Sequence, residues 1–207
     1  MMATAASISL APRISAKPSG DREVRDLLKR HLVESLIDRD TVVLDELGLC
    51  QGDVRIDVAA VGDELSGFEI KSPADTLARW PKQCRVYSKV VDRAWLVATE
   101  KALEAARAPG WWGIIRIVQT RDQLGLRVIR TAQRNPSPDP YSIACLLWRD
   151  EAIDALAALE LARGIRSKPR AVVWQRLAES APLDHLRAAV RAALKVRANR
   201  VADLLAQ

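Results

Sequence analysis

The stretch GDVRIDVAAVGDELSGFEIKS, residues 52–72, decides how this chain is read. Two apolar runs, VRIDVAAV (54–61) and SGFEIKS (66–72), flank the turn signal GDEL, and this pattern predicts an antiparallel pair of strands. Each run carries an acid where a core strand favours an apolar side chain: Asp57 in the first, Glu69 in the second, with Lys71 two positions beyond. Side chains alternate faces along a strand, so Glu69 and Lys71 share one face while Ile70 points into the core. With 54–61 as the neighbouring strand, Asp57 is expected across from them on that face.

Two carboxylates held close repel each other and retain protons unless a cation lies between them. Magnesium meets that need, because it takes oxygen ligands, keeps several waters and commonly uses one or two protein carboxylates beside a phosphate. Lys71 would then polarise the attacking water or hold the scissile phosphate. These are the parts required for metal-assisted hydrolysis of a phosphodiester.

Outward from this pair, DREVRDLLKRHLVESLI (21–37) has leucines and Val24 at helical spacing, with Asp21 as N-cap. TVVLDEL (41–47) reads as a short strand. DTLARWPKQCRVYSKVV (75–91) reads as helix after an N-capping Asp75, with Pro81 kinking it or starting a second segment. RAWLVAT (93–99) is a strand and EKALEAARA (100–108) a helix ended by Pro109–Gly110. WGIIRIV (112–118) and GLRVIRTA (125–132) are two further strands about a turn near Arg121–Asp122, and Trp111 and Trp112 are expected to cap the core. NPSPDP (135–140) is strong punctuation and reads as a linker. Beyond it the pattern is helical over 141–163, 168–180 and 183–206. The expected organisation is a disordered tail (1–20), an α/β domain (21–134), the linker (135–140) and a helical C-terminal extension (141–207).

The 207 residues are enough for one compact domain with an appendage. No run reaches the ~18 apolar residues of a membrane helix. The N-terminal piece has no charged region before its short apolar part, so a signal peptide is not expected. Cys50, Cys84 and Cys145 fit neither a zinc knuckle nor a disulfide framework and point to buried thiols in a reducing cytoplasm. His31 and His185 have no partner at metal-ligand spacing. The net charge of +6 is unevenly placed. Residues 21–140 hold 19 charges of each sign, while 141–207 hold 11 basic against 7 acidic. Arg187, Arg191 and Lys195 recur every four residues and predict a basic stripe along one helix, suited to phosphates or to a solvated face.

At Asp57 and Glu69–Ile70–Lys71 the sequence resembles the PD-(D/E)XK nuclease superfamily, whose signature is an Asp on one strand and Glu-x-Lys on the next. The wider run 21–150 also resembles a bacterial group of small nuclease-like proteins. The resemblance implies a restriction-endonuclease-like α/β core (helix, three strands, helix, strand), here with extra strands and a helical extension. It implies a magnesium-dependent nuclease, manganese serving as alternative, acting on nucleic acid with DNA favoured. Asp57, Glu69 and the main-chain carbonyl of Ile70 would bind the metal, and Lys71 would assist the nucleophile.

Gln83 and Tyr87 look like the Gln-x-x-x-Tyr element of exonuclease-type and recombination-type branches. They would contact the nucleic-acid backbone or brace the lysine, the alternative being a buried polar pair on an amphipathic helix. Superfamily members often carry one more acid. Glu34 and Glu46 both qualify, and Glu46 is preferred for its closeness to the Asp57 strand. Arg55 would neutralise a carboxylate, meet phosphate, or pair with Glu69 or Glu46. Double-strand cleavage would favour a homodimer. The rival reading is a non-catalytic nucleic-acid-binding or assembly module on the same fold.

Overall fold

The computed structural model describes residues 21–35, 40–71, 77–120 and 124–205. The expected tail (1–20), the Asp75 N-cap and the Arg121–Asp122 turn lie outside the described residues. The side chains of Asp21 and Glu34 do as well.

In chain order the elements are α1 (Asp21–Ser35), β1 (Val42–Leu49), β2 (Val54–Val61), β3 (Leu65–Lys71), α2 (Trp80–Val90), β4 (Arg93–Ala98), α3 (Glu100–Ala106), β5 (Gly113–Gln119), β6 (Leu124–Arg130), α4 (Pro140–Ala144), α5 (Arg149–Ala158), α6 (Arg170–Ser180) and α7 (Leu183–Leu205). The strands form one mixed sheet in the order β1-β2-β3-β4-β5-β6. β1, β2 and β3 run as an antiparallel meander, and β6 returns antiparallel to β5. β4 is parallel to β3 and β5 parallel to β4, and α2 and α3 supply the crossovers such pairs require. The protein is therefore a mixed α/β fold. Among the described residues no helix is long and apolar enough to cross a membrane.

The sheet is covered on both faces, which explains its long apolar runs. On one face Val24, Leu27, Leu28 and Leu32 of α1 pack against Val58, Phe68, Ile70, Val97 and Ile115. Each fully buried leucine there contributes roughly 1.5–3 kcal/mol. On the other face lie Tyr87 and Val90 of α2, joined by Ile143, Leu156, Trp174, Leu186 and Val190 of the C-terminal helices, over Ile56, Ala59 and Leu96. At the start of β5 a Cβ on Gly113 would fall 2.1 Å from the Trp95 ring, so only glycine lets that indole keep its stack on Phe68 (centroids 5.9 Å apart, planes 9° from parallel).

Two expectations need correction, and one pair of alternatives is decided. The helix read over 141–163 is two helices, α4 and α5, broken at Cys145–Trp148. The Glu151 carboxylate accepts the Trp148 backbone N–H at 2.7 Å, an N-terminal capping contact that starts α5 afresh. Of the two roles expected for Pro81, the structure shows the second: it lies in the first turn of α2, next after Trp80, and the turn Leu77–Arg79 before it is a separate 3-10 segment. The 135–140 segment is packed against the sheet domain. Asn135 is buried, its amide donates to the Ser88 and Val91 carbonyls at 2.8 Å each, and Asp139 caps α4 by accepting from the Ser142 N–H. Because the α2-side core contains residues from both sides of this segment, the C-terminal helices share a core with the sheet.

Candidate active site

The hydrogen-bonded ladder between β2 and β3 runs from Val61–Leu65 to Val58–Phe68 and stops there. Beyond that point Asp57 takes over: its Oδ2 accepts the Ile70 backbone N–H at 2.8 Å. The carboxylate thus stands where a strand carbonyl would be, which orients it and satisfies an otherwise orphaned donor. Simple alternation does not place it. Ile56 packs into the α2-side core and Val58 into the α1-side core, so the strand changes face across Asp57. The expectation that Asp57 shares the Glu69 face by parity is corrected accordingly; it reaches the same end of the hairpin through the Ile70 amide.

Glu69 and Lys71 point toward α2, as alternation predicts, and both are buried, at 1% and 4% exposure. Lys71 Nζ donates to Glu69 Oε1 at 2.6 Å and to Gln83 Oε1 at 2.9 Å. The other Glu69 oxygen accepts the Tyr87 hydroxyl at 2.7 Å. Gln83 and Tyr87 lie one turn apart on α2, so a single helix face presents both. Gly67, on the same face of β3, makes room for this approach, since a Cβ there would come within 3.3 Å of the Tyr87 ring. Behind it, Trp112 is fully buried, 5.4 Å from the Tyr87 ring and edge-on to Trp80 at 5.1 Å. That aromatic wall fixes the phenol. Asp57, Glu69, Lys71, Gln83 and Tyr87 are therefore brought to one locus from two strands and one helix.

The electrostatics follow from burial. Desolvation raises the Glu69 carboxyl above 4.5, opposed by the Lys71 charge and by the hydrogen bonds from Lys71, Tyr87 and Gln83. Tyr87 is pushed well above 10, first by burial and then by the Glu69 and Asp57 charges, with a hydrogen bond from the Asp57 backbone acting the other way. Tyr87 is thus a fixed donor and not a base. A carboxylate held above its ordinary range in a dry place is one that a bound cation would stabilise. Asp57, Glu69 and the Ile70 carbonyl are the oxygen groups here that would hold a magnesium ion, with its remaining positions filled by water. Among the described residues no group of three His, Cys, Asp or Glu comes together as a metal cage.

Glu46 is placed beside Asp57 by β1–β2 pairing and is 41% exposed. Its carboxylate contacts Arg25 Nη1 at 2.6 Å and Arg55 Nε at 3.5 Å, so Arg55 takes up the ion-pair reading with Glu46. Sequence reasoning missed Arg25, whose Nη2 lies 3.8 Å from Asp57 Oδ1. A signal was present: Arg25 and Lys29 are four apart on α1, and their partners Glu46 and Asp45 are adjacent on β1.

The expected phosphate-tracking stripe is also corrected. Arg187 is buried with its Nε 2.8 Å from Asp92 Oδ1, Arg191 reaches Asp92 Oδ2 at 3.9 Å, and Lys195 pairs with Asp40 at 2.5 Å. Leu186, Val190 and Leu194, which recur at the same interval one position earlier, are the buried face of α7, so the basic residues border the core instead of facing outward.

This geometry defines a mixed α/β protein with a buried carboxylate–lysine cluster where its β2–β3 hairpin opens. Residues 21–207 match the family described as bacteriophage P4 protein cII, and the chain belongs to that family. No curated protein sequence matches it significantly. Among solved structures it is similar to the SPO1766 protein of unknown function from Silicibacter pomeroyi, at 23% identity over 75% of this chain and 98% of that one, with a TM-score of 0.44.

Proposed function

We propose that the chain is a magnesium-dependent nuclease of restriction-endonuclease-like fold, hydrolysing phosphodiester bonds in nucleic acid, with DNA the favoured substrate. The observation that carries this reading is Lys71 held by both Glu69 and Gln83 beside an Asp57 oriented by the Ile70 amide. The order α1, three antiparallel strands, α2, then β4 parallel to β3 supports the finer fold assignment.

Asp57, Glu69 and the Ile70 carbonyl would hold the metal, which supplies charge neutralisation at the phosphate and an activated water. Lys71 would place its ammonium against the attacked phosphate, Gln83 would aim that ammonium, and Tyr87 would keep Glu69 in one rotamer. Manganese would substitute for magnesium. A homodimer would place two such sites for double-strand cleavage, in a bacterial cytoplasm. Labelled DNA and RNA, single- and double-stranded, incubated with magnesium or manganese test the reading. Metal-dependent cleavage lost in Asp57→Ala supports it, and no cleavage of any substrate counts against it.

One observation favours the second reading, a non-catalytic nucleic-acid-binding or assembly module. Both Glu69 oxygens already have donors, so the cluster is satisfied without a ligand. Binding of nucleic acid without turnover in that same panel would select it.

Because Glu69 is held above 4.5, proton and metal compete for it, and magnesium affinity should rise with pH through that window and level off above it. The sign for the metal-free fold is opposite. A raised carboxyl adds stability that is full below its unfolded value and is lost as pH rises through its folded value. Calorimetric metal titrations from acid to neutral pH, beside thermal melts without metal, check both slopes. A magnesium affinity independent of pH would count against Glu69 as a ligand.

A further inference from the structure

Resting on the nuclease reading, we infer that Arg25 is a built-in counter-cation that competes with the divalent metal for Asp57, so that metal and nucleic acid bind cooperatively. Asp57 accepts the Ile70 amide with Oδ2, and its Oδ1 faces the Arg25 guanidinium. The Arg25 guanidinium is 3.8 Å from that oxygen and is anchored at 2.6 Å on Glu46, its side chain only 16% exposed. Glu46 has a φ of 54°, a conformation L residues with side chains seldom adopt, and it meets Arg25 from this strained position. Arg55 approaches the other Glu46 oxygen at 3.5 Å.

A guanidinium does not deprotonate in a protein, so proton loss cannot release these carboxylates. They are released only when the guanidinium moves to a better anion. A phosphodiester is such an anion, because its two terminal oxygens match the guanidinium fork. Nucleic acid arriving at the site would draw Arg25 from Asp57 to a phosphate, which removes a competing positive charge and lets Asp57 take the metal more tightly. By linkage the metal tightens nucleic-acid binding by the same factor. Without substrate, Arg25 holds metal affinity down. It is a positioning and gating residue in the metal-free state and a phosphate contact in the loaded one.

The test is calorimetric titration of magnesium into the full chain, alone and with a hydrolysis-resistant phosphorothioate DNA. Wild type should bind magnesium weakly alone and about tenfold more tightly with the DNA. Arg25→Gln, shown folded by circular dichroism, should bind magnesium about tenfold more tightly than wild type without DNA and lose most of the coupling. Arg25→Lys, whose ammonium cannot fork across Asp57 and Glu46, should fall between the two and serves as the test if Arg25→Gln does not fold. Magnesium binding that requires Asp57 but is no tighter in Arg25→Gln and Arg25→Lys overturns the inference and leaves the nuclease reading standing. No magnesium or manganese binding in any of the proteins, with or without DNA, removes both.

Discussion

Lys71→Met is expected to lower single-turnover cleavage by about 10²–10³-fold, because a positioned charge beside the phosphate contributes mainly in the transition state. From sequence alone, Lys71→Ala is expected to remove most cleavage while leaving the fold and metal site largely intact. Burial alters that expectation. Lys71 is 4% exposed and its ammonium lies 2.6 Å from the Glu69 carboxylate. Removing one member of a buried pair costs about 3–5 kcal/mol when the other must stay charged. Here Glu69 is already raised, so without Lys71 it takes up a proton, and part of that cost is avoided. The variant should therefore melt lower at neutral pH than at mildly acidic pH, and its metal affinity should fall with its activity. Thermal melts across pH and single-turnover cleavage on one preparation check these outcomes. Undiminished cleavage by folded Lys71→Met would leave the non-catalytic module as the better reading.

The largest effect on stability alone is expected at the contact joining the C-terminal helices to the sheet. Asp92 is 3% exposed; its Oδ2 accepts the Leu65 N–H at 2.8 Å, and Arg187 Nε lies 2.8 Å from its Oδ1. The Arg187 Nε–H is not aligned on Oδ1, so that contact acts through charge more than through a hydrogen bond. Arg187→Met strands the Asp92 charge in the core and should cost about 3 kcal/mol, the low end for a broken buried pair because Arg191 remains 3.9 Å away. In a chain of this size that lowers the melting temperature by about ten degrees. Adding Asp92→Asn should recover part of the loss, since no charge is then left unpaired. Lys195→Met is the contrast: its partner Asp40 is 86% exposed, and the change should stay within about 0.5 kcal/mol. An Arg187→Met protein as stable as Lys195→Met would show that the buried pair contributes nothing to the docking.

These two sites mark how far the sequence could be read. Glu69 and Lys71 were legible because strand alternation is local: residues two apart share a face whatever else the chain does. Gln83 and Tyr87 were legible for the same reason at helical spacing, and the GDEL turn fixed the hairpin that brings Asp57 near them. Arg187, Arg191 and Lys195 show the limit. Their four-residue interval is equally the interval of the buried leucines and valine beside them, and periodicity alone does not say which neighbouring arc of a helix meets another element.

Local pattern thus determined the strand pair, the helices around it and the clustered charges at its open end, because backbone sterics and side-chain period act over a few residues. Tertiary structure decided the rest. It turned Arg187 and Arg191 inward onto Asp92, paired Lys195 with Asp40, merged the C-terminal helices with the sheet in one core, aimed Asp57 through the Ile70 amide, and set Arg25 against it. Each of these depends on which charges and apolar faces meet after long loops close. That outcome is set by desolvation and pairing across the fold, which no short window of sequence contains.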